Sequence, residues 1–345
     1  MLKILIIGAG AMGSAFSVPC VERKHQTTIL GTHLEDDFID NLNNNNKLHP
    51  VLNIILSNKI SIVKSVNIKK EFQKKPDLIV VGVNSKGINW IAEQIHQCSN
   101  NSTLCPILLL TKGLSIYKNQ YEILSHKLER LLRNKGLTNI NISAVGGPCL
   151  AKDLAQKIHT SVVFASKDIE IANWLKKNLF TKYYHPSTSV DIIGVEVCAA
   201  IKNIFSMAIG VAKGMYYKNK TSENLYFNTS AALFKQSLFE MEIVNDFLSG
   251  KKETVNDLAG LGDLYVSSLG GRNSRMGTLL GQGYIYSKAK KLKMPKETIE
   301  GAELAFEIGK KIKKDFDIKK TPLLISMVNC LLEDKKFLIN WNNFK

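Results

Sequence analysis

Apolar residues are distributed in two regimes along the chain. In the first half they come in short, nearly unbroken runs: Leu2–Ile7, Thr27–Leu30, Asp77–Val83 after the break at Pro76, Pro106–Leu110, Ile142–Val145 and Ser161–Ala165. Short apolar runs without polar alternation read as strands buried on both faces, which belong to parallel sheets covered by helices. The stretches between them, such as Trp90–Gln97 and Gln120–Arg133, carry helical periodicity. Strand signals stop near Asp191, and long helical stretches run from Gly194 onward. The pattern predicts an α/β class: a doubly wound, mostly parallel sheet over residues 1–192, followed by an all-helical domain over 193–345. Asn41–Asn46, rich in asparagine, reads as a polar surface loop.

The first strand leads directly into Gly8-Ala-Gly10-Ala11-Met12-Gly13. A glycine pattern between a strand and a helix has a physical purpose. One glycine makes the turn, one lets backbone approach a pyrophosphate, and one lets the helix pack on the strand. The helix N-terminus then faces the phosphates. This placement predicts a Rossmann-type dinucleotide site. An acidic residue that reads the ribose 2′-hydroxyl is expected at the end of the second strand. Gly31-Thr32-His33 stands there, with Glu35 and Asp36 slightly late. NAD and NADP both remain open.

The run from Val197 to Ala212 is apolar almost all the way round except for Lys202-Asn203. A helix without a polar face is normally buried. A buried ammonium is costly unless it is paired or deprotonated. Two readings stand at this point: a lysine that snorkels or pairs structurally, and a lysine that exchanges protons in catalysis. Further candidates are Thr111-Lys112-Gly113-Leu114, after a strand where parallel sheets present ligands, and Gly146-Gly147-Pro148-Cys149 leading to Ala151-Lys152-Asp153. In the helical half, Gly260-Leu-Gly262-Asp263-Leu and Gly270-Gly271-Arg272-Asn273 break the helices. Glycines there suggest close backbone approach, and Arg with Asn is a good phosphate grip. Helix capping by Asp263 and a surface arginine are the plain alternatives.

Charge narrows the partners. The 345 residues hold 46 Lys+Arg against 30 Asp+Glu, a net charge of +16. Such a field favours anions, including phosphorylated metabolites. The lysine runs read as solvated helix faces, and none is interleaved with aromatics as a single-strand nucleic-acid platform requires. No nucleic-acid partner is expected. Six cysteines show neither a CxxC pair nor zinc spacing, so they read as reduced thiols of a cytoplasmic protein and no metal is expected. No 18 apolar residues run uninterrupted, so no membrane span is expected. Glu223–Asn228 is similar to a viral protease site, but it runs into a helical stretch, Thr229–Met241, and reads as native sequence.

The ordered set of motifs resembles the NAD(P)-dependent glycerol-3-phosphate dehydrogenase family over residues 1 to about 335. It comprises the glycine loop at 8–13, Thr111-Lys112-Gly113, Gly147-Pro148, Lys202-Asn203, Gly262-Asp263-Leu264, Gly271-Arg272-Asn273 and Glu300-Gly301. The resemblance implies hydride transfer between NAD(P)H and dihydroxyacetone phosphate, giving sn-glycerol 3-phosphate for glycerophospholipid synthesis, by a homodimer. It implies that Lys202 is the general acid–base, that Asp263 orients it, and that Lys112 joins them. Lys112 and Asn203 would bind substrate with Gly147 and Ser267, and Arg272-Asn273 would grip its phosphate. Cofactor would meet Gly8, Gly10, Ala11, Met12, Gly13, Ser14, Thr32, Lys112, Ala151, Arg272, Thr298 and Glu300. The chain departs from the family pattern at Gly271, often Ser, at Val83-Asn84, usually Val-Pro, and at Cys149, often Ser or Thr. The lysine's pKa would be pushed down by Lys112 and Arg272 and raised by Asp263. A related hydroxy-acid or sugar-acid dehydrogenase and a non-catalytic dinucleotide-binding regulator are the alternatives.

Overall fold

A computed structural model describes residues 1–99, 104–216 and 226–345. Glu223–Leu225 of the protease-like stretch lie outside the described residues. The chain forms two compact units. The first comprises residues 1–112 and 123–192, and the second 113–122 and 193–345.

The first unit is built on an eight-stranded sheet. Its members are β1 (Lys3–Ile7), β2 (Gln26–Leu30), β5 (Ile60–Val63), β6 (Leu78–Val81), β7 (Ile107–Leu109), β10 (Ile142–Gly146), β11 (Thr160–Ser166) and β12 (Tyr184–Ser189). Two further strands, β3 (Leu48–His49) and β4 (Ile54–Ile55), make a separate small ribbon. The sheet order is β12-β11-β10-β7-β6-β1-β2-β5, and all neighbours run parallel except β10 and β11. Strand direction of travel reverses between β1 and β6, a switch point where such sheets bind ligands at their C-terminal ends. Helices α1 (Ala11–Glu22), α2 (Asp36–Asn44), α3 (Ile68–Gln73), α4 (Ile88–Ser99), α5 (Leu124–Arg133), α6 (Ala151–Ala155) and α7 (Ile169–Leu179) complete the unit. The core is the continuous apolar set that the runs in β1, β6 and β7 supply, with Ile6, Ile7, Val80, Val81, Leu108 and Leu109 inaccessible to solvent.

Two sheet strands escape the sequence reading for physical reasons. β5 alternates buried Ile60 and Ile62 with exposed Ser61, because it is an edge strand with one open face. β12 holds Pro186 among Ser and Thr, a composition tolerated only at a sheet edge, where a missing N–H breaks no ladder. The asparagine patch is also not purely loop. Residues 41–44 form the last turn of α2, and only then do Asn46 and Lys47 turn with positive φ.

The second unit is helical except for one hairpin. That hairpin, β8 (Leu114–Tyr117) and β9 (Gln120–Ile123), replaces the first residues of the helix expected from Gln120. Lys118 and Asn119 both take positive φ, the geometry of a two-residue hairpin turn usually signalled by Asn-Gly. Lys-Asn is a weaker signal. The helices are α8 (Ile192–Tyr216), α9 (Phe227–Phe247), α10 (Lys252–Val255), α11 (Asp263–Gly270), α12 (Arg272–Gly281), α13 (Tyr286–Lys293), α14 (Glu300–Asp315) and α15 (Pro322–Leu332), with a π-helical turn over Leu258–Gly262.

α8 is as long and apolar as a membrane span, but 89% of its most apolar window is buried inside the fold. It lies against α12, and glycines explain how close. A Cβ on Gly210 would lie 2.2 Å from the Ser274 carbonyl oxygen, and one on Gly214 2.0 Å from that of Thr278. Reciprocally, a Cβ on Gly277 would lie 1.9 Å from the Met207 oxygen, and one on Gly281 2.2 Å from that of Val211. Two glycines four residues apart on each helix therefore bring the backbones into direct contact. This contact sets the position of the first turn of α12 against the turn of α8 that carries Lys202 and Asn203.

Candidate active site

In the first unit, the glycine loop leaves β1 at the switch point. Gly8 has φ of 111°, and its N–H donates to the Leu30 carbonyl at 2.8 Å. A Cβ on Gly8 would lie 2.8 Å from the Gly82 carbonyl carbon, and one on Gly13 2.1 Å from the Gly8 oxygen. Gly8, Gly13 and Gly82 are thus required by the protein's own packing of α1 on β1 and β6. Gly10 is different. A Cβ there would meet nothing nearer than Glu35 Oε1 at 3.9 Å. The space beside Gly10 is open, as close approach by a pyrophosphate requires.

Gly10 is also the N-cap of α1 and offers no side-chain acceptor. The first-turn N–H groups of Ala11, Met12 and Gly13 have no partner within the helix, and they carry the positive end of its dipole. These residues fit a dinucleotide. Ser14 is fully buried, and its hydroxyl donates to the Ala9 carbonyl at 2.9 Å. Its side chain holds the loop from beneath. Asn84, where the family pattern has Pro, accepts the Gly87 N–H at 3.0 Å and caps the turn that leads into α4.

At the C-terminal ends of the parallel neighbours β7 and β10 lie Lys112 and Gly147. Thr111 is buried, and its hydroxyl donates to the Val83 carbonyl at 2.7 Å, which ties the Lys112 loop to the end of β6. Gly147 has φ of 111°, a conformation that favours glycine. Ala151 begins α6, three residues after Pro148.

In the second unit, Lys202 is 6% exposed and Asp263 2%. The Lys202 ammonium pairs with Asp263 Oδ1 and donates to Ser267 Oγ at 3.0 Å. Asp263 and Ser267 are four apart on α11 and share one face, so a single helix presents both acceptors. Two opposite charges buried together recover part of the cost of leaving water, but neither is tolerable alone.

The next residue on α8, Asn203, begins a second set. Asn273 Nδ2 donates to Asn203 Oδ1 at 3.1 Å and to Glu300 Oε2 at 3.4 Å. Asn273 Oδ1 accepts the Gly301 N–H at 2.9 Å. A Cβ on Gly301 would lie 2.6 Å from the Asn203 carbonyl oxygen, so α14 starts against the backbone of α8. Arg272 pairs with Glu300, and both are open to solvent. Thr298 is exposed, and its side chain makes no hydrogen bond among the described residues.

The sequence candidates of the second half therefore gather in two adjoining groups, Lys202–Asp263–Ser267 and Asn203–Asn273–Arg272–Glu300, with Thr298 outside both. Sequence reasoning missed the glycine contact beneath them. The paired spacings Gly210/Gly214 and Gly277/Gly281 were the available signal. Glu35, which stands slightly late in the sequence for a ribose reader, has a carboxylate that accepts N–H groups from Ala9 and Thr32.

Residues 3–172 match the family model of the NAD-dependent glycerol-3-phosphate dehydrogenase N-terminus, and residues 191–339 match that of the C-terminus. An NADP(+)-dependent glycerol-3-phosphate dehydrogenase of Archaeoglobus fulgidus is 30% identical over 96% of this chain and 96% of its own. A glycerol-3-phosphate dehydrogenase [NAD(P)+] of Fusobacterium nucleatum is 29% identical over 97% and 94%. The crystal structure of glycerol-3-phosphate dehydrogenase from Coxiella burnetii superposes with a TM-score of 0.79 at 25% identity, covering 97% of this chain and 96% of that one.

Proposed function

This chain belongs to the NAD-dependent glycerol-3-phosphate dehydrogenase family, and from that premise we propose that it transfers a hydride between NAD(P)H and dihydroxyacetone phosphate, giving sn-glycerol 3-phosphate. The observation that carries the reading is the buried Lys202 ammonium, held by Asp263 and Ser267 one residue from the Asn203–Asn273 contact.

The nicotinamide supplies the hydride; the protein must supply a proton and stabilise charge at the carbonyl oxygen. We assign that proton to Lys202. Asp263 pairs with the ammonium and aims it, and Ser267 fixes a second of its three N–H directions. Arg272 and Asn273 grip the substrate phosphate, with Asn203 beside them. Lys112 and Gly147 are the first unit's candidates for substrate, and Lys112 is also a candidate for catalysis and for cofactor. Phosphate binding remote from the reacting carbon supplies orientation that a bare ketone would lack.

Residues 1–192 are proposed to hold the dinucleotide through Gly8, Gly10, Ala11, Met12, Gly13, Ser14, Thr32 and Ala151. Residues 193–345 are proposed to carry the chemistry, with Arg272, Thr298 and Glu300 also reaching cofactor. Ser14 acts through its hold on the Ala9 carbonyl. We also propose a cytoplasmic homodimer whose product enters glycerophospholipid synthesis. All six cysteines are free thiols, in keeping with a reducing compartment.

The test is loss of absorbance at 340 nm on adding dihydroxyacetone phosphate, run separately with NADH and NADPH. Turnover with 2-oxo acids and none with dihydroxyacetone phosphate would overturn the substrate assignment. Light scattering on the purified chain tests the dimer.

A further inference from the structure

The carboxylate of Glu35 sits where β1 and β2 both end. Its Oε2 accepts the Thr32 N–H at 2.8 Å and the Ala9 N–H at 3.2 Å. Its Oε1 takes no hydrogen bond among the described residues and lies 3.9 Å from the open Cβ position of Gly10. One oxygen is spent on the two loops, and the other is a free acceptor beside the proposed pyrophosphate approach.

The chain reaches this arrangement by an indirect route. An acidic residue at the end of β2 is the ordinary device for reading a ribose 2′-hydroxyl, yet that place holds Gly31-Thr32-His33. The chain then turns back, with the Glu35 N–H donating to the Thr32 carbonyl at 2.9 Å. Gly31 permits the return. A Cβ there would lie 2.8 Å from Ile39 Cγ1 and 3.6 Å from the Glu35 Cβ. Without that Cβ, the first turn of α2 closes on the end of β2 and delivers a carboxylate from a later position.

The surrounding charge has the same sign. Asp36 and Asp37 fill the first turn of α2. Lys64, the cation beyond β5, is already paired with Asp40 at 2.5 Å, and Asp40, Asp36 and Asp37 all favour its charged form. A dianionic group placed here meets carboxylates, and Lys64 is already engaged with one of them.

On the hydride-transfer reading above, we infer that Glu35 sets the choice of cofactor. Oε1 accepts the 2′-hydroxyl of the adenosine ribose of NADH, and the same fixed negative charge turns away the 2′-phosphate of NADPH. The Archaeoglobus fulgidus relative is an NADP(+)-dependent enzyme, so this preference is not a property of the fold.

Equilibrium binding tests this without turnover. The full-length protein and its Glu35→Gln variant are titrated with NADH and NADPH by calorimetry in the absence of substrate. The wild-type dissociation constant for NADPH should exceed that for NADH at least tenfold. Glu35→Gln keeps an acceptor for the Ala9 and Thr32 N–H groups and adds a donor, so it should shrink the ratio at least tenfold, with circular dichroism unchanged. A second comparison needs no variant: AMP, which differs only in lacking the 2′-phosphate, should bind the wild type at least tenfold more tightly than adenosine 2′,5′-bisphosphate. Wild-type preference for NADPH, or for the 2′-phosphorylated nucleotide, overturns the inference. So does a folded Glu35→Gln protein that binds NADH with the ratio unchanged. Failure of the wild type to bind either dinucleotide is a distinct result, which removes the hydride-transfer reading and this inference with it.

Discussion

Asn273 donates its side-chain N–H to the side-chain oxygen of Asn203 at 3.1 Å, between two helices whose backbones meet at glycines. The same side chain accepts the Gly301 N–H at 2.9 Å. One buried amide therefore ties together the starts of α12 and α14 and the middle of α8. Removing it strands a buried backbone donor, which costs about 1–3 kcal/mol. Asn273→Ala should lower the urea midpoint accordingly and raise KM for dihydroxyacetone phosphate at least tenfold. The dissociation constant for NADH should stay within twofold. A KM left unchanged would take Asn273 out of substrate binding and leave it structural.

The glycine contact beneath the amide predicts a contrast between two substitutions. In Gly277→Ala the new methyl group would fall 1.9 Å from the Met207 carbonyl oxygen. The atom it meets is backbone, so the helices must part, at a cost of about 1–3 kcal/mol or more. Gly270→Ala meets nothing within 4 Å, and its stability should stay within about 0.5 kcal/mol of the parent. Thermal melts of the two variants check this. Catalytic efficiency should fall with Gly277→Ala alone, since only that contact sets Arg272 and Asn273 against Lys202.

Lys202 and Asp263 make a double-mutant test that separates chemistry from stability. Lys202→Met removes the ammonium that pairs with the buried Asp263 carboxylate and should cost about 3–5 kcal/mol. Lys202→Met combined with Asp263→Leu replaces the pair with apolar groups and should regain most of that loss. Neither protein should turn over dihydroxyacetone phosphate, while NADH binding persists in both. Guanidinium melts and single-turnover absorbance at 340 nm give the two readouts. Near-normal turnover by Lys202→Met would remove the lysine from the mechanism.

The legible parts of this molecule are those whose cause lies within a few residues of sequence. The apolar runs of β1, β2, β6, β7, β10 and β11 announce a covered sheet, and a single lysine in the apolar length of α8 announces itself. The glycine loop is readable because its turn, its approach and its packing contact fall within six residues. The hidden parts depend on partners distant in the chain. The edge strands β5 and β12 lack a continuous apolar run. The hairpin at Lys118-Asn119 uses a weak turn pair and joins the second unit from within the first half of the chain. Glu35 looks misplaced until the missing Cβ of Gly31 is seen to bring α2 back over β2. Gly277 looks like an ordinary helix-weakening glycine until Met207, seventy residues earlier, is placed against it.

Glu240 gives the chain a pH-dependent stability that owes nothing to catalysis. It is fully buried on α9, where it accepts the N–H groups of Leu323 and Leu324 at 2.9 and 2.8 Å and the Gln236 amide at 3.0 Å. It thereby caps α15, whose Thr321 makes no side-chain cap. Burial pushes its carboxyl up from 4.5 to about 7, against the lowering effect of those donors. A carboxyl raised on folding binds its proton more tightly in the native state. Its contribution is therefore fully present below pH 4.5 and is lost as pH rises through about 7. At 1.36 kcal/mol per pKa unit the loss is about 3 kcal/mol. Glu240→Gln keeps an acceptor for the cap and cannot ionise, so the variant's stability relative to wild type should rise by that amount between pH 4.5 and 8. Chemical denaturation at several pH values, comparing the two proteins at each, measures the difference directly. Parallel stability curves would show that Glu240 does not titrate between the folded and unfolded states in this range.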